Sequence, residues 1–207
     1  MLAEDVDFAG IKLGMLANGE IARAVNIFLK CHENVPVVLD PVIRSSSGRS
    51  LLDLDGVSVI REQLLARVEW ITPNLDELAV LAGMPIAAAE DVPRGAAELR
   101  RLAREAGNKR LSIVVTGGHL DPPDDYLLSA DGEQVWIPGR RIQTRATHGT
   151  GCAFSSALLC RLATGNLPEV AVRRAKKYVA AAMAAAYPIG GGKGPMNHLY
   201  RLEAERR

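Results

Sequence analysis

Two short runs of apolar, mostly β-branched residues, Val35–Leu39 and Leu111–Val115, constrain this chain more than anything else in it. Neither alternates polar with apolar, so each reads as a strand covered on both faces. The first stops at Asp40-Pro41 and the second at Thr116-Gly117-Gly118-His119. Strands covered on both faces need helices on both sides, and the sequence supplies them. Glu20–His32 carries Ile21, Val25, Phe28 and Leu29 at helical spacing. Val57–Val68 repeats the pattern. Asn74 and Glu77 stand in capping-box spacing before a further helix. Val92–Ala106 ends at Gly107, and Gly151–Leu162 and Pro168–Tyr187 complete the set. Shorter strands are expected at Ala9–Leu13 and at Trp70–Thr72, the latter halted by Pro73. Asp131-Gly132 between Tyr126–Ser129 and Gln134–Ile137 signals a hairpin. The alternation predicts an α/β sandwich: a mostly parallel sheet, one small antiparallel excursion, and helices on both faces. A length of 207 residues suits one such domain.

Charge narrows the partners. Lys and Arg number 25 against 24 Asp and Glu, so no one-signed field points to nucleic acid or another polyanion. Cys31, Cys152 and Cys160 are odd in number and include no C-x-x-C, which favours a reducing cytoplasm over a disulfide or zinc framework. Cys31 and Cys160 are expected in the core. The start, MLAEDVDFAG, lacks the apolar stretch of a signal peptide. Val170–Ile189 is cut by Arg173, Arg174, Lys176 and Lys177 and reads as an amphipathic helix, not a membrane span.

In an open parallel sheet, ligands bind beyond the carboxyl ends of the strands. Asp40, Thr72-Pro73-Asn74 and Thr116-Gly117-Gly118-His119 all follow apolar runs. The strongest local signal is Thr147-His148-Gly149-Thr150-Gly151-Cys152, which opens directly into a helical run. Its glycines permit a tight turn, and free amides of a first helical turn form an anion site. It serves equally as a plain helix start with Thr150 as cap. The loop is not a Walker A motif, because no Lys-Ser/Thr follows the glycines. Gly190-Gly191-Gly192-Lys193-Gly194-Pro195 follows a helix and reads as a mobile loop. At a helix N-terminus the Cys152 thiol pKa is expected to fall; the residue could be a nucleophile, a proton acceptor or an inert small side chain. Asp40 could serve Mg²⁺ or phosphate, or only form a turn. Asn74 and Glu77 could hold water on Mg²⁺, or only cap a helix. His119 and His148 have no spaced partner for a metal and read as loop residues.

Five segments occur in series: Lys12-Leu13-Gly14-Met15-Leu16, Val38-Leu39-Asp40-Pro41-Val42, Ile71-Thr72-Pro73-Asn74-Leu75-Asp76-Glu77, Val115-Thr116-Gly117-Gly118-His119 and Thr147 to Cys152. Together, from about Ile11 to His198, they resemble the hydroxymethylpyrimidine/phosphomethylpyrimidine kinases of thiamine biosynthesis, in the ribokinase-like superfamily. The resemblance implies a ribokinase-like three-layer sandwich. It implies ATP- and Mg²⁺-dependent phosphorylation of 4-amino-5-hydroxymethyl-2-methylpyrimidine and then of its monophosphate. By matching motif, Gly149, Thr150, Gly151 and Cys152 would form the anion hole. Cys152, standing where related sugar kinases carry an Asp base, would face the substrate hydroxyl. Met15 and Val42 would line the pyrimidine pocket. Asp40 and Glu77, with Asn74, would sit on the Mg-phosphate side. Thr116 would lie near the nucleotide phosphates and Lys176 beside the nucleotide. A cytoplasmic homodimer is implied. The same fold also serves pyridoxal kinases, and a non-catalytic module binding nucleotide or a partner chain is the third alternative.

The sequence departs from the family in three places. The family's opening Gly-Ser-Asp and Gly-Gly-Ala-Gly stretch and its Gln-bearing substrate segment have no counterpart, so residues 1–207 read as one kinase domain without the first βα units. Thr116 and Ser46 stand where the family often has Lys. The expectation is then a chain that is poorly stable or self-associating, weak in pyrimidine turnover, with Ile11 and Leu13 stripped of cover.

Overall fold

The structure, a computed structural model, describes residues 2–45, 48–189 and 191–204. Ser46, Gly190 and the last three residues lie outside the described residues. A short helix, α1 (Leu2–Asp5), precedes β1 (Ile11–Leu13). Then follow α2 (Gly19–Lys30), β2 (Val37–Leu39), α3 (Leu54–Glu62), β3 (Trp70–Ile71), α4 (Leu75–Ala82), α5 (Val92–Glu105), β4 (Ser112–Val115), β5 (Asp125–Leu128), β6 (Gln134–Ile137), α6 (Thr150–Ala163), α7 (Pro168–Ala184) and α8 (Tyr200–Ala204). The strands form one sheet in the order β1-β2-β3-β4-β5-β6. Pairs from β1 to β4 are parallel; β4-β5 and β5-β6 are antiparallel.

Sequential parallel strands joined by right-handed crossovers put every connecting helix on the same face. That face carries α2 to α5, and its core includes Leu29, Ile60, Leu78 and Leu99 against Leu39, Ile71, Ile113, Val115 and Tyr126. The opposite face is covered by α6 and α7: Phe154, Leu158, Ala171, Val172 and Ala175 pack on Val38, Trp70, Val114 and Leu127. Neighbouring strand residues thus enter different cores, as side-chain alternation requires. The result is the expected α/β three-layer sandwich. Among the described residues, no helix is long and apolar enough to cross a membrane.

Three sequence expectations give way. Along α2 the buried stripe is Gly19, Ala22, Asn26 and Leu29, while Ile21 and Phe28 reach solvent. Close approach to α3 rotates the helix: a Cβ on Gly19 would stand 1.9 Å from Asp55 Oδ2, and Asn26 Nδ2 donates to Gln63 Oε1 at 3.0 Å. Phe28 instead stacks on His32. Cys31 and Cys160 are exposed, not core residues, because each sits on the outward side of its helix end. Leu13, expected to be uncovered, is only 7% exposed and joins the first core, with Ile11 packed against it.

The carboxyl ends of β1 to β4 all point to one pole of the molecule. The Asp131-Gly132 hairpin tip lies at the other, since β5 runs back down the sheet and the Ala130 amide donates to Ser112 Oγ at the start of β4.

Candidate active site

Asp40 leaves the end of β2 and is 4% exposed. Its amide donates to Leu13 O at 2.9 Å, continuing the sheet by one residue, before Pro41 ends it. Its Oδ2 accepts from Ser155 Oγ at 3.1 Å and lies 3.4 Å from Lys12 Nζ. Ser155 is fully buried on α6, and its Oγ also lies 3.1 Å from the carbonyl oxygens of both Gly151 and Cys152. The start of α6 is therefore pinned to the end of β2 across 115 positions of sequence.

That start is built for anions. Gly149, not Thr150, is the N-cap; it holds φ 79°, a left-handed conformation glycine takes without strain, and offers no side-chain cap. The Thr150 hydroxyl instead donates back to Thr147 O at 3.3 Å. The first intrahelical bond runs from Ala153 N to Gly149 O, so the amides of Thr150, Gly151 and Cys152 precede every helical acceptor. A Cβ at Gly151 would stand 4.0 Å from Asp40 Oδ1, which fixes how close the carboxylate comes to the nest. Gly194 O accepts from His148 N at 3.3 Å, and His148 bridges to Pro195. The glycine segment read as mobile thus meets the anion loop at Gly194 and Pro195.

The Cys152 thiol departs from the expected lowering. Burial and the nearby Asp40 charge push it up; Lys12 opposes, while a hydrogen bond to Asp40 and the Glu77 charge add to the rise. Burial first, and the Asp40 and Glu77 carboxylates after it, prevail over the lowering expected at a helix start. Although the residue reaches solvent, its thiol stays protonated at neutral pH and donates to Asp40.

Glu77 completes the acidic wall. The capping box forms as expected: Glu77 N donates to Asn74 Oδ1 and Asn74 N to Glu77 Oε2, both at 2.9 Å. The second oxygen accepts from Ile43 N at 3.4 Å. Burial raises this carboxyl to about 7, with help from the Asp40 charge, against the Asn74 and Ile43 amides. Asn74 bridges to Thr116, whose amide donates to Pro73 O at 2.9 Å, so β3 and β4 deliver their loop residues side by side.

The remaining expected residues are placed less tightly. Met15 is 61% exposed after β1, and Val42 is half-buried after Asp40. Lys176 is engaged elsewhere: Nζ lies 2.8 Å from Asp125 Oδ1 and donates to Pro123 O at 2.8 Å. Asp125 also accepts from Gly117 N at 2.9 Å, so Lys176 braces the loop after β4 from α7. Two residues were missed by sequence reasoning. Ser155 gave no signal beyond a polar position in an apolar helix; Lys12 gave one, a charge inside a strand.

Mg²⁺ can be tested against the donors. Among the described residues no group of three or more His, Cys, Asp or Glu gathers to cage a metal. Both Glu77 oxygens are taken by amides, whereas Asp40 Oδ1 faces the nest. This set suits an ion that keeps its waters and is shared with phosphates, the ordinary habit of Mg²⁺.

The sequence comparisons agree on one family. The family model described as phosphomethylpyrimidine kinase matches residues 1–197. A hydroxymethylpyrimidine/phosphomethylpyrimidine kinase of Streptomyces coelicolor is 37% identical over 201 residues, 97% of this chain and 72% of the relative. Among solved structures, the ADP complex of Bacillus subtilis pyridoxal kinase superposes with a TM-score of 0.83 at 29% identity, covering 96% of this chain and 74% of that one. The phosphomethylpyrimidine kinase of Clostridium difficile gives 0.71 at 29% identity, over 86% and 70%.

Proposed function

Because the chain belongs to the phosphomethylpyrimidine kinase family, we propose that the pole holding Asp40, Glu77 and the α6 N-terminus transfers the γ-phosphoryl group of ATP to a hydroxymethylpyrimidine, and then to its monophosphate, in thiamine biosynthesis. The observation that carries this reading is the open nest of the Thr150, Gly151 and Cys152 amides beside a buried carboxylate. Phosphoryl transfer needs positioning and charge neutralisation more than covalent help. The amides and the helix dipole meet the charge that gathers on the transferring group. Cys152 orients the substrate hydroxyl, and its proton acceptor role is secondary, since the thiol is held protonated. Met15 and Val42 border the pyrimidine; Asn74 and Thr116 face the nucleotide phosphates, and Lys176 steadies the loop that carries Thr116. Asp40, with Glu77 behind it, would hold Mg²⁺ through water or phosphate. When bound, that ion offsets phosphate charge.

A pyridoxal kinase is the second reading, favoured by the structural likeness to the Bacillus subtilis enzyme. A cytoplasmic location and a homodimer belong to the same proposal. The deciding experiment measures ADP release with the pyrimidine alcohol, its monophosphate and pyridoxal as separate acceptors. Turnover of both pyrimidines above pyridoxal is expected. Turnover of pyridoxal alone would establish the second reading, and release with none would leave the non-catalytic module.

A further inference from the structure

We propose that Lys12 holds the substrate's own phosphate during the second phosphorylation and so sets how well this chain uses the monophosphate relative to the alcohol. The inference rests on the kinase reading above. Within β1, Leu13 turns into the first core, while Lys12 pairs in register with Val38, which faces α6. Its side chain climbs along that face to place Nζ 3.4 Å from Asp40 Oδ2, with 22% of the side chain exposed. Gly14 makes room for it: a Cβ there would stand 2.8 Å from Nζ. Among the charges that shift the Cys152 thiol most, Asp40 and Glu77 are acids and Lys12 is a base.

The two acceptors make different demands on such a site. An alcohol is neutral and must lose a proton, to water or to an oxygen of the transferred phosphoryl group, as its oxygen bonds to phosphorus and the bond to ADP breaks. A phosphate monoester near neutral pH needs no base, because its attacking oxygen is already anionic. It instead brings close to two negative charges toward two carboxylates. Coulomb repulsion at close range is severe in a half-buried site, and the Lys12 ammonium, partly exposed beside the nest, is placed to offset it. Lys12 is paired to Asp40 at 3.4 Å, long for a charge-assisted hydrogen bond, and so can swing to a phosphate oxygen without breaking a tight contact.

The test compares kcat/KM for alcohol and monophosphate in the parent chain, Lys12→Met and Lys12→Arg. Lys12→Met should depress the monophosphate about 10- to 100-fold more than the alcohol, the scale of a lost hydrogen bond to a charged group. Lys12→Arg should restore much of the ratio. Cys152→Ala should move the ratio the other way, because only the alcohol presents a hydroxyl for the thiol to orient. Calorimetric binding of the monophosphate, measured without nucleotide, should weaken in Lys12→Met while alcohol binding holds. Equal losses for both acceptors would reduce Lys12 to a prop for Asp40 and overturn the proposal. A parent chain that turned over neither acceptor would sink the kinase reading, and the calorimetric comparison would still decide Lys12.

Discussion

At the scale of single residues, the site is a contest between fixed amides and buried carboxylates. Gly151→Val would set a branched side chain between the nest and Asp40 Oδ1, now 4.0 Å from the Cβ position. ATP turnover should fall at least 10²-fold, the cost of losing anion-hole donors, with the melting temperature little changed. Cys152→Ala should lower alcohol phosphorylation on the order of 10²-fold, the scale of a misplaced reacting group, and Cys152→Asp should keep part of the rate; alkylation of Cys152 without loss of rate would make it structural. Glu77 gives a pH signature. Its carboxyl rises from 4.5 to about 7 on folding. Between those values the folded chain keeps a proton that the unfolded chain has lost. The contribution is therefore full below pH 4.5 and disappears as pH rises through 7, roughly 3 kcal/mol in all. Urea midpoints in EDTA should drop across that window, and Glu77→Gln should flatten the curve. The placement of Asp40, Asn74, Glu77 and the glycine loop at one pole was legible because each follows a strand or opens a helix. Ser155 and Lys12 were not, since their meaning lies in a contact with Asp40 that no local pattern encodes.

At the scale of elements, α4 and α6 do most to build the site. The α4 capping box also clamps Ile43, so the loop after β2 and the helix after β3 share one carboxylate. Asn74→Ala should cost about 1 kcal/mol, the usual worth of an N-cap, and should raise the KM for ATP beyond what the stability loss explains. The strands were readable from sequence because they are apolar throughout, and helix starts from their caps. The face of α2 was not: hydrophobicity nominated Ile21 and Phe28, yet packing chose Gly19, Ala22 and Asn26, because Gly19 lets α3 approach and Asn26 bonds to Gln63. Helix periodicity gives the width of an apolar stripe, while the neighbour's shape decides which part of it is buried.

At the scale of the whole molecule, one sheet serves two cores. Ile113 and Val114 are adjacent and fully buried, yet they enter opposite layers. Ile113→Ala should cost about 2–5 kcal/mol and Val114→Ala somewhat less. If the sandwich folds as a unit, both variants should unfold in a single transition by calorimetry and by circular dichroism; two transitions would mean that the layers melt separately. The polarity of the sheet has a practical side too. Every residue assigned to chemistry comes from the pole where β1 to β4 end, and the β5-β6 hairpin turns at the opposite pole, where Gly132 holds φ 101° and Asp131 is exposed. A peptide tag spliced between Asp131 and Gly132 would give the molecule a handle: anchored there to a sensor chip, it would stand with its working end toward the flowing solution.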